Sequence, residues 1–353
     1  MSSLSSVLSI PLSVLDLAPV GSGSTPAAAL AAAATLAQAT EALGYRRYWV
    51  AEHHNMPGIA SSAPAVLVAH VAGATSHIRV GSGGVMLPNH APLVVAEQFG
   101  MLEALHPGRV DLGIGRAPGT DQVTAAALRR SVEGLSADDF PQALGELLAF
   151  FEGTFPEGHP YRQITAVPGL GYRPAVWLLG SSDYSAQVAG LLGLPFSFAH
   201  HFAAANTLPA VTAYRDTFRP SDELDRPYVM LGVAVLCAET EERARWLAGS
   251  GALAMARLRQ GRPGLYPTPE EAAEHVFSPL EKQVIGPWRQ SQVVGDPDQV
   301  RRGLAELVER TGADELILTT MAHSYQDRLR SYELVAEVVG LEPLGQTTRS
   351  GPP

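Results

Sequence analysis

A single cysteine, Cys237, stands in 353 residues. An internal disulfide and a zinc site built on several thiolates are excluded, and this usage fits a reducing compartment. Lysine and arginine form no block, and 25 basic residues face 35 acidic ones for a net charge of -10. That field repels nucleic acid and anionic membranes, which leaves a small molecule as the expected partner. The first ten residues carry no basic opening stretch, and the alanine-rich run 27–39 is interrupted by Thr35 and Gln38. Neither a signal peptide nor a membrane span is indicated, and a cytoplasmic protein is expected.

Familiar chemical signatures are missing as well. The chain has no G-x-x-x-x-G-K-[ST] loop, no H-E-x-x-H and no G-x-S-x-G elbow, so the common NTPase, zincin and α/β-hydrolase signals are absent. "GIGRAPG" has Gly113 and Gly115 but Pro118 where a dinucleotide fingerprint needs its third glycine, and the acidic partner downstream is missing.

What is present is a regular alternation. Apolar runs rich in Val, Ile and Leu fall at 11–17, 47–52, 78–87, 110–115, 175–180, 196–200, 228–237 and 315–320. Helical stretches fall at 26–43, 92–105, 138–152, 183–192, 206–218, 239–259, 297–311 and 324–340. The first helix opens with Thr25 as N-cap and Pro26 at the first helical position, and Gly44 closes it. This is the pattern of parallel strands joined by crossover helices, the α/β class. Eight such pairs without a Pro/Ser/Gly linker favour one (β/α)8 TIM barrel, for which roughly 250 residues is typical, over a doubly wound sheet. A single domain is expected across 1–353, with its core at about 9–340 and a frayed tail at 341–353. The surplus length lies in insertions after strands four (116–174) and seven (260–296). The second keeps Tyr266, Phe277 and Trp288, and long loops that retain apolar residues tend to be lids or interfaces.

In a barrel of this kind chemistry sits at the C-terminal ends of the strands. "AEHHN" (51–55) puts Glu52, His53 and His54 at such an end. Neighbouring residues in extended chain project to opposite sides, so the two histidines cannot easily converge on one metal ion; one faces the pocket and the other supports it. Gly81, Gly83 and Gly84 thin out strand three, either because a crowded neighbour requires it or because a flat ligand lies on bare backbone. Arg116 follows strand four, where its fork of donors can clamp a phosphate or carboxylate or pair with a nearby acid. "GSSDYSAQVAG" (180–190) follows strand five and places Ser181, Ser182 and Ser185 around a helix start, a ready anion site; an ordinary N-cap would account for only one of these residues.

The ordered set "YWVAEHHN", "VGSGGVMLPNHAPLVVAEQFGMLEALHPGRVDLGIGRAPG" and "VWLLGSSDYSAQVAGLLGLPFSFAHHF" resembles the bacterial luciferase-like monooxygenases over roughly 9–340, in particular their single-chain oxidoreductase branch. The resemblance implies a flavin-dependent barrel that binds reduced FMN at its mouth, lets it react with O2 at flavin C4a, and oxygenates a small organic substrate through the resulting peroxide. It places Gly83 and Gly84 at a cis peptide under the flavin ring, Arg116, Ser181, Ser182 and Ser185 at the phosphate, and His53 beside the flavin as the catalytic histidine. His54, His200 and His201 follow as residues shaping the substrate pocket. It further implies a mobile loop at 260–296, a separate NAD(P)H-flavin reductase, and a homodimer through helices near the second and third strands. No bioluminescence is expected, because Gly115 stands where the light-emitting relatives carry a reactive cysteine. The rival readings are an F420-dependent hydride-transfer oxidoreductase, a flavin-storage protein with little turnover, and a metal-dependent barrel hydrolase.

Overall fold

In the computed structural model, residues 10–117, 119–129 and 139–344 are described. The first half runs β1 (Leu12–Asp16), α1 (Pro26–Ala42), β2 (Arg47–Val50), α2 (Pro64–Ala74), β3 (Arg79–Met86), α3 (Pro92–Leu105) and β4 (Val110–Gly115). There follow α4 (Gln122–Arg129), α5 (Phe140–Glu152), β5 (Ala175–Gly180), α6 (Asp183–Leu192), β6 (Phe196–Phe198), α7 (His200–Ala203) and α8 (Thr207–Thr217). The chain continues with β7 (Val229–Cys237), α9 (Glu241–Arg259), α10 (Pro269–Glu274), α11 (Pro279–Gln290), β8 (Val293–Gly295), α12 (Pro297–Thr311), β9 (Glu315–Thr319) and α13 (Tyr325–Val339).

The strand order β6-β5-β4-β3-β2-β1-β9-β7 closes through β6 onto β7, with every pairing parallel. This is an eight-stranded (β/α)8 barrel, as the alternation of the sequence predicts. Outward residues such as Leu12, Val14, Tyr48, Val50, Val80 and Leu112 form one large core with the surrounding helices. Inward residues Leu15, Trp49, Trp177, Tyr228, Met230 and Ile317 form a second core inside. Burial on both faces explains why these strands read as continuous apolar runs.

The lower end of the barrel is closed by charge. Arg47 donates to Glu315 at 2.8 and 3.1 Å and to Asp111 at 3.0 Å, and all three side chains are fully buried. Arg79 adds a second guanidinium to Asp111 at 2.6 Å, Trp49 Nε1 donates to it at 2.8 Å, and the Tyr228 hydroxyl donates to Glu315 at 2.8 Å. The Arg47 guanidinium lies 4.6 Å from the Trp177 ring centroid. Burial alone would raise the Asp111 carboxyl, but Arg79 and Arg47 outweigh it and hold it below its ordinary value. Gly81 belongs to this floor: a Cβ on it would sit 2.4 Å from the Asp111 carbonyl oxygen.

The insertions differ in detail from expectation. After strand four, α5 is the barrel's own crossover helix and α4 is the addition; the positions 118 and 130–138 of that region lie outside the described residues. After strand seven the insertion is larger than 260–296. It begins with α9 and ends with β8, which pairs with Val235–Cys237 where β7 overshoots the barrel, and α12 is the helix that packs between α8 and α13. Helical periodicity cannot tell a crossover helix from an inserted one, so α9 reads as part of the ring. The segment expected as a lid is folded and pinned. Tyr266 exchanges backbone bonds of 2.8 Å with Val20 and Ser22, and its hydroxyl donates to the Met321 carbonyl at 2.8 Å. Phe277 and Trp288 pack with Ala252, Ala256 and Ile285. Helix α2 was not expected, because Ala63 supplies no side-chain cap and its sequence is apolar all round. The tail is docked as far as the structure describes it: Leu341 and Leu344 pack on the core, and Gly44 is required where Glu342 O would lie 2.1 Å from a Cβ. Residues 345–353 of the expected frayed tail lie outside the described residues.

Candidate functional site

At the upper, C-terminal end of the barrel the inward positions fall on small residues. Ala51 is in register with Trp49, Gly113 with Asp111, Gly232 with Met230 and Thr319 with Ile317; Gly83 lies over Trp49. Steric packing is reason enough for the glycines of strand three. A Cβ on Gly83 would meet Leu15 Cδ1 at 2.7 Å, and one on Gly84 would meet Gly113 O at 2.7 Å. The by-product is a mouth walled by bare backbone above the edge-to-face pair Trp49 and Trp177, whose centroids are 5.3 Å apart. The Gly83–Gly84 peptide is cis, at the position the resemblance gave it.

Past the end of β2 the alternation continues, and it separates the residues of "AEHHN". Glu52 turns away from Ala51 and His53 into the cleft between the ends of β2 and β3, where it is fully buried. Its carboxylate accepts from Met86 N at 3.0 Å and Asn89 Nδ2 at 3.2 Å, and meets His90 Nε2 at 3.0 Å and His54 Nε2 at 2.9 Å. Burial pushes the Glu52 carboxyl up, and the bonds from His90, His54 and the Met86 amide more than offset this, holding it below its ordinary value. His54 therefore supports the loop and does not enter the pocket. Its backbone is also tied down: His54 N donates to Gly119 O at 3.3 Å and Thr120 Oγ1 donates to His54 O at 2.9 Å. The loop carrying His53 is thereby joined to the loop carrying Arg116.

His53 points the other way. Its Nδ1 is buried without a hydrogen-bond partner among the described residues, and burial lowers the imidazole pKa, so the ring is neutral. Thr319 Oγ1, inward at the end of β9, is a second buried polar atom without a partner among the described residues. Both atoms face the barrel mouth, where each is open to a hydrogen bond.

Arg116 lies with its guanidinium 4.3 Å from the ring centroid of Tyr184, the second residue of α6, and pairs with no acid among the described residues. Ser182 occupies the N-cap position of α6, yet its side chain makes no capping bond, which leaves the hydroxyl and the first-turn N–H groups available. Ser185 is buried in that first turn against Gly180, and Ser181 O is 3.5 Å from Asn206 Nδ2. The structure thus brings Arg116, Ser181, Ser182 and Ser185 to one helix start. It divides the other histidine pair. His200 Nδ1 meets Thr207 Oγ1 at 2.7 Å and the ring borders an open groove with Pro209, Gln290 and Arg310, away from the mouth. His201 enters the mouth, with Nδ1 3.1 Å from Gly232 O. Sequence reasoning passed over His90, Tyr184 and Thr319; only Thr319 had a signal, as a hydroxyl at the last inward position of a strand. Among the described residues no three His, Cys, Asp or Glu side chains gather as a metal site. No helix among the described residues is long and apolar enough to cross a membrane.

The molecule is a closed parallel (β/α)8 barrel whose C-terminal strand ends collect an imidazole, an arginine and an open helix N-terminus. The model of the luciferase-like monooxygenase family matches residues 10–315, and the chain belongs to that family. It is 50% identical over 327 residues to the uncharacterized protein YvbT of Bacillus subtilis (strain 168), covering 93% of this chain and 96% of that one. It is 45% identical over 329 residues to a luciferase-like monooxygenase of Escherichia coli (strain K12), covering 93% and 97%. The crystal structure of apo-MsnO8 superposes with a TM-score of 0.85 at 41% identity, covering 95% of this chain and 98% of that one.

Proposed function

We propose that this protein is a monooxygenase that uses reduced FMN and O2 to oxygenate a small organic substrate in the barrel mouth. The observation that carries the reading is the pairing of a bare-backbone wall with an anion corner at the right end of the barrel. The wall suits a flat tricyclic ring; the corner suits one phosphate. Arg116, Ser181, Ser182 and Ser185 would hold the phosphate, and Gly83 and Gly84 would lie against the ring. When bound, reduced FMN supplies the electrons that activate O2.

The chain's own residues do the rest. His53, neutral and with a free Nδ1, holds or moves one proton at the reacting edge, and Glu52 keeps the His53 loop in place through its bonds to His54, His90 and Met86 N. The insertion pinned by Tyr266 roofs one side of the mouth and restricts water there. Reducing equivalents come from a separate NAD(P)H-flavin reductase, and a second copy of the chain is the expected partner of the α2–α3 face, where Val66, Met101 and Leu105 are exposed.

Titration of the purified protein with FMN, riboflavin and F420, followed by O2 uptake with reduced FMN, tests the reading. FMN bound more tightly than riboflavin supports it. F420 bound without FMN overturns it in favour of hydride transfer. FMN bound while reduced FMN is oxidised by O2 only at the rate of the free flavin favours a storage protein.

A further inference from the structure

We propose that His201 is a specificity-determining residue of the mouth, a fixed hydrogen-bond acceptor that selects substrates presenting an O–H or N–H donor beside the flavin. The inference rests on the functional reading above for what lies beside the substrate, but its geometry stands without it.

The chain leaves β6 at Phe198 and turns directly into α7, so His200 and His201 are consecutive helical residues about 100° apart around the axis. One must leave the barrel if the other enters it. His200 leaves, toward Thr207. His201 takes space that β7 vacates: a Cβ on the inward-facing Gly232 would lie 2.8 Å from His201 Nδ1 and 3.0 Å from its Cε1. The imidazole therefore stands in for the side chain that strand seven lacks, and it forms part of the interior wall.

Its chemistry is equally constrained. The partner of Nδ1 is a backbone carbonyl, which only accepts, so Nδ1 carries the proton. In a neutral ring Nε2 then keeps its lone pair and can only accept. Burial pulls the imidazole pKa down to about 4, with His200 and His53 adding to the effect, so the ring is neutral near pH 7. The Phe202 ring packs edge-on with centroids 4.7 Å apart, and Ser291 Oγ approaches His201 O at 3.5 Å, which hold the ring and its backbone. No hydrogen bond reaches Nε2 among the described residues. A fixed acceptor discriminates once a bound molecule displaces water from it, because a molecule without a donor then leaves it unpaired.

Phenol and anisole share a ring and differ in one O–H, so they serve as probes. Nitrogen NMR of 15N-histidine-labelled protein at pH 7 is followed with each, in the absence and presence of FMN, the His201 signals being assigned by their loss in His201→Phe. The expected result is an unprotonated Nε2 that shifts with phenol and not with anisole, with phenol bound about tenfold more tightly. That preference disappears in His201→Phe and persists in part in His201→Gln, whose amide oxygen can still accept. A protonated Nε2, no response to phenol, an equal response to both probes, or a preference that survives His201→Phe overturns the proposal. Because the flavin-free measurement reads His201 directly, failure to bind FMN counts against the monooxygenase reading alone.

Discussion

The two ends of the barrel interior are built on opposite principles. At the floor, Arg47, Asp111 and Glu315 are fully buried and every charge has a partner of opposite sign. At the mouth, the inward positions are Ala51, Gly83, Gly113, Gly232 and Thr319, and the buried polar atoms His53 Nδ1 and Thr319 Oγ1 have no partner among the described residues. The floor pairs its charges internally, with Trp177 Nε1 the one interior atom there without a partner among the described residues, whereas the mouth leaves His53 and Thr319 open to a ligand. This is the division expected of such barrels, with stability at the N-terminal face and chemistry at the C-terminal one.

The contrast can be broken most directly at the floor. Arg47→Met leaves Asp111 and Glu315 as buried carboxylates and is expected to cost about 3–5 kcal/mol in urea denaturation. A loss below about 1 kcal/mol would mean that the floor is not the stabilising end. At the mouth, Arg116→Ala is expected to weaken FMN roughly 10- to 100-fold while riboflavin, which lacks the phosphate, changes by less than about twofold. Equal losses for both ligands would remove the anion corner from the functional reading.

Acid separates the two ends. An unfolded histidine titrates near 6.5 and His201 in the folded chain at about 4. Between those values the unfolded state binds a proton that the folded state refuses, so this contribution is intact above about pH 6.5 and is lost as pH falls toward 4. His53 acts in the same direction. Asp111 is depressed below the ordinary carboxyl value of 3.8, so its contribution is present above that value and is lost only at still lower pH. Denaturation series are expected to show a shallower acid limb between pH 6.5 and 4 in His201→Phe, and also in Arg47→Met, where burial without the guanidinium raises the floor carboxyls toward that window and the folded state takes up the protons.

The smallest energetic effect belongs to His53→Ala, which removes an atom that has no partner among the described residues. Stability is expected to change by less than about 1 kcal/mol and FMN affinity by less than about twofold. Stopped-flow absorbance should nevertheless show bound reduced FMN reacting with O2 at the rate of the free flavin. An unchanged oxidation rate would take His53 out of the mechanism.

Much of this was legible in the linear chain. Strand period alone separates His53 from His54, and the mouth position of Arg116 and the serines follows from their places directly after apolar runs. The histidine pair at 200 and 201 was not legible in this way, because the chain turns helical there and the angular step, not strand alternation, decides which ring enters. The glycines of strand three were ambiguous for a related reason: whether a Cβ fits depends on Asp111 and Gly113 of the next strand. His90 and Tyr184 gave no local signal, since their importance lies in Glu52 and Arg116, residues far away in sequence.

The sequence by itself determined the class of fold, the eight barrel strands and the family, since these rest on periodicity and on motifs local in the chain. The tertiary structure alone decided that Glu52 is a buried hub, that α9 belongs to the insertion and that Tyr266 pins the expected lid. It alone placed His201 in the space left by Gly232. Each of these depends on two segments meeting across the barrel, and no local pattern encodes the distance between them.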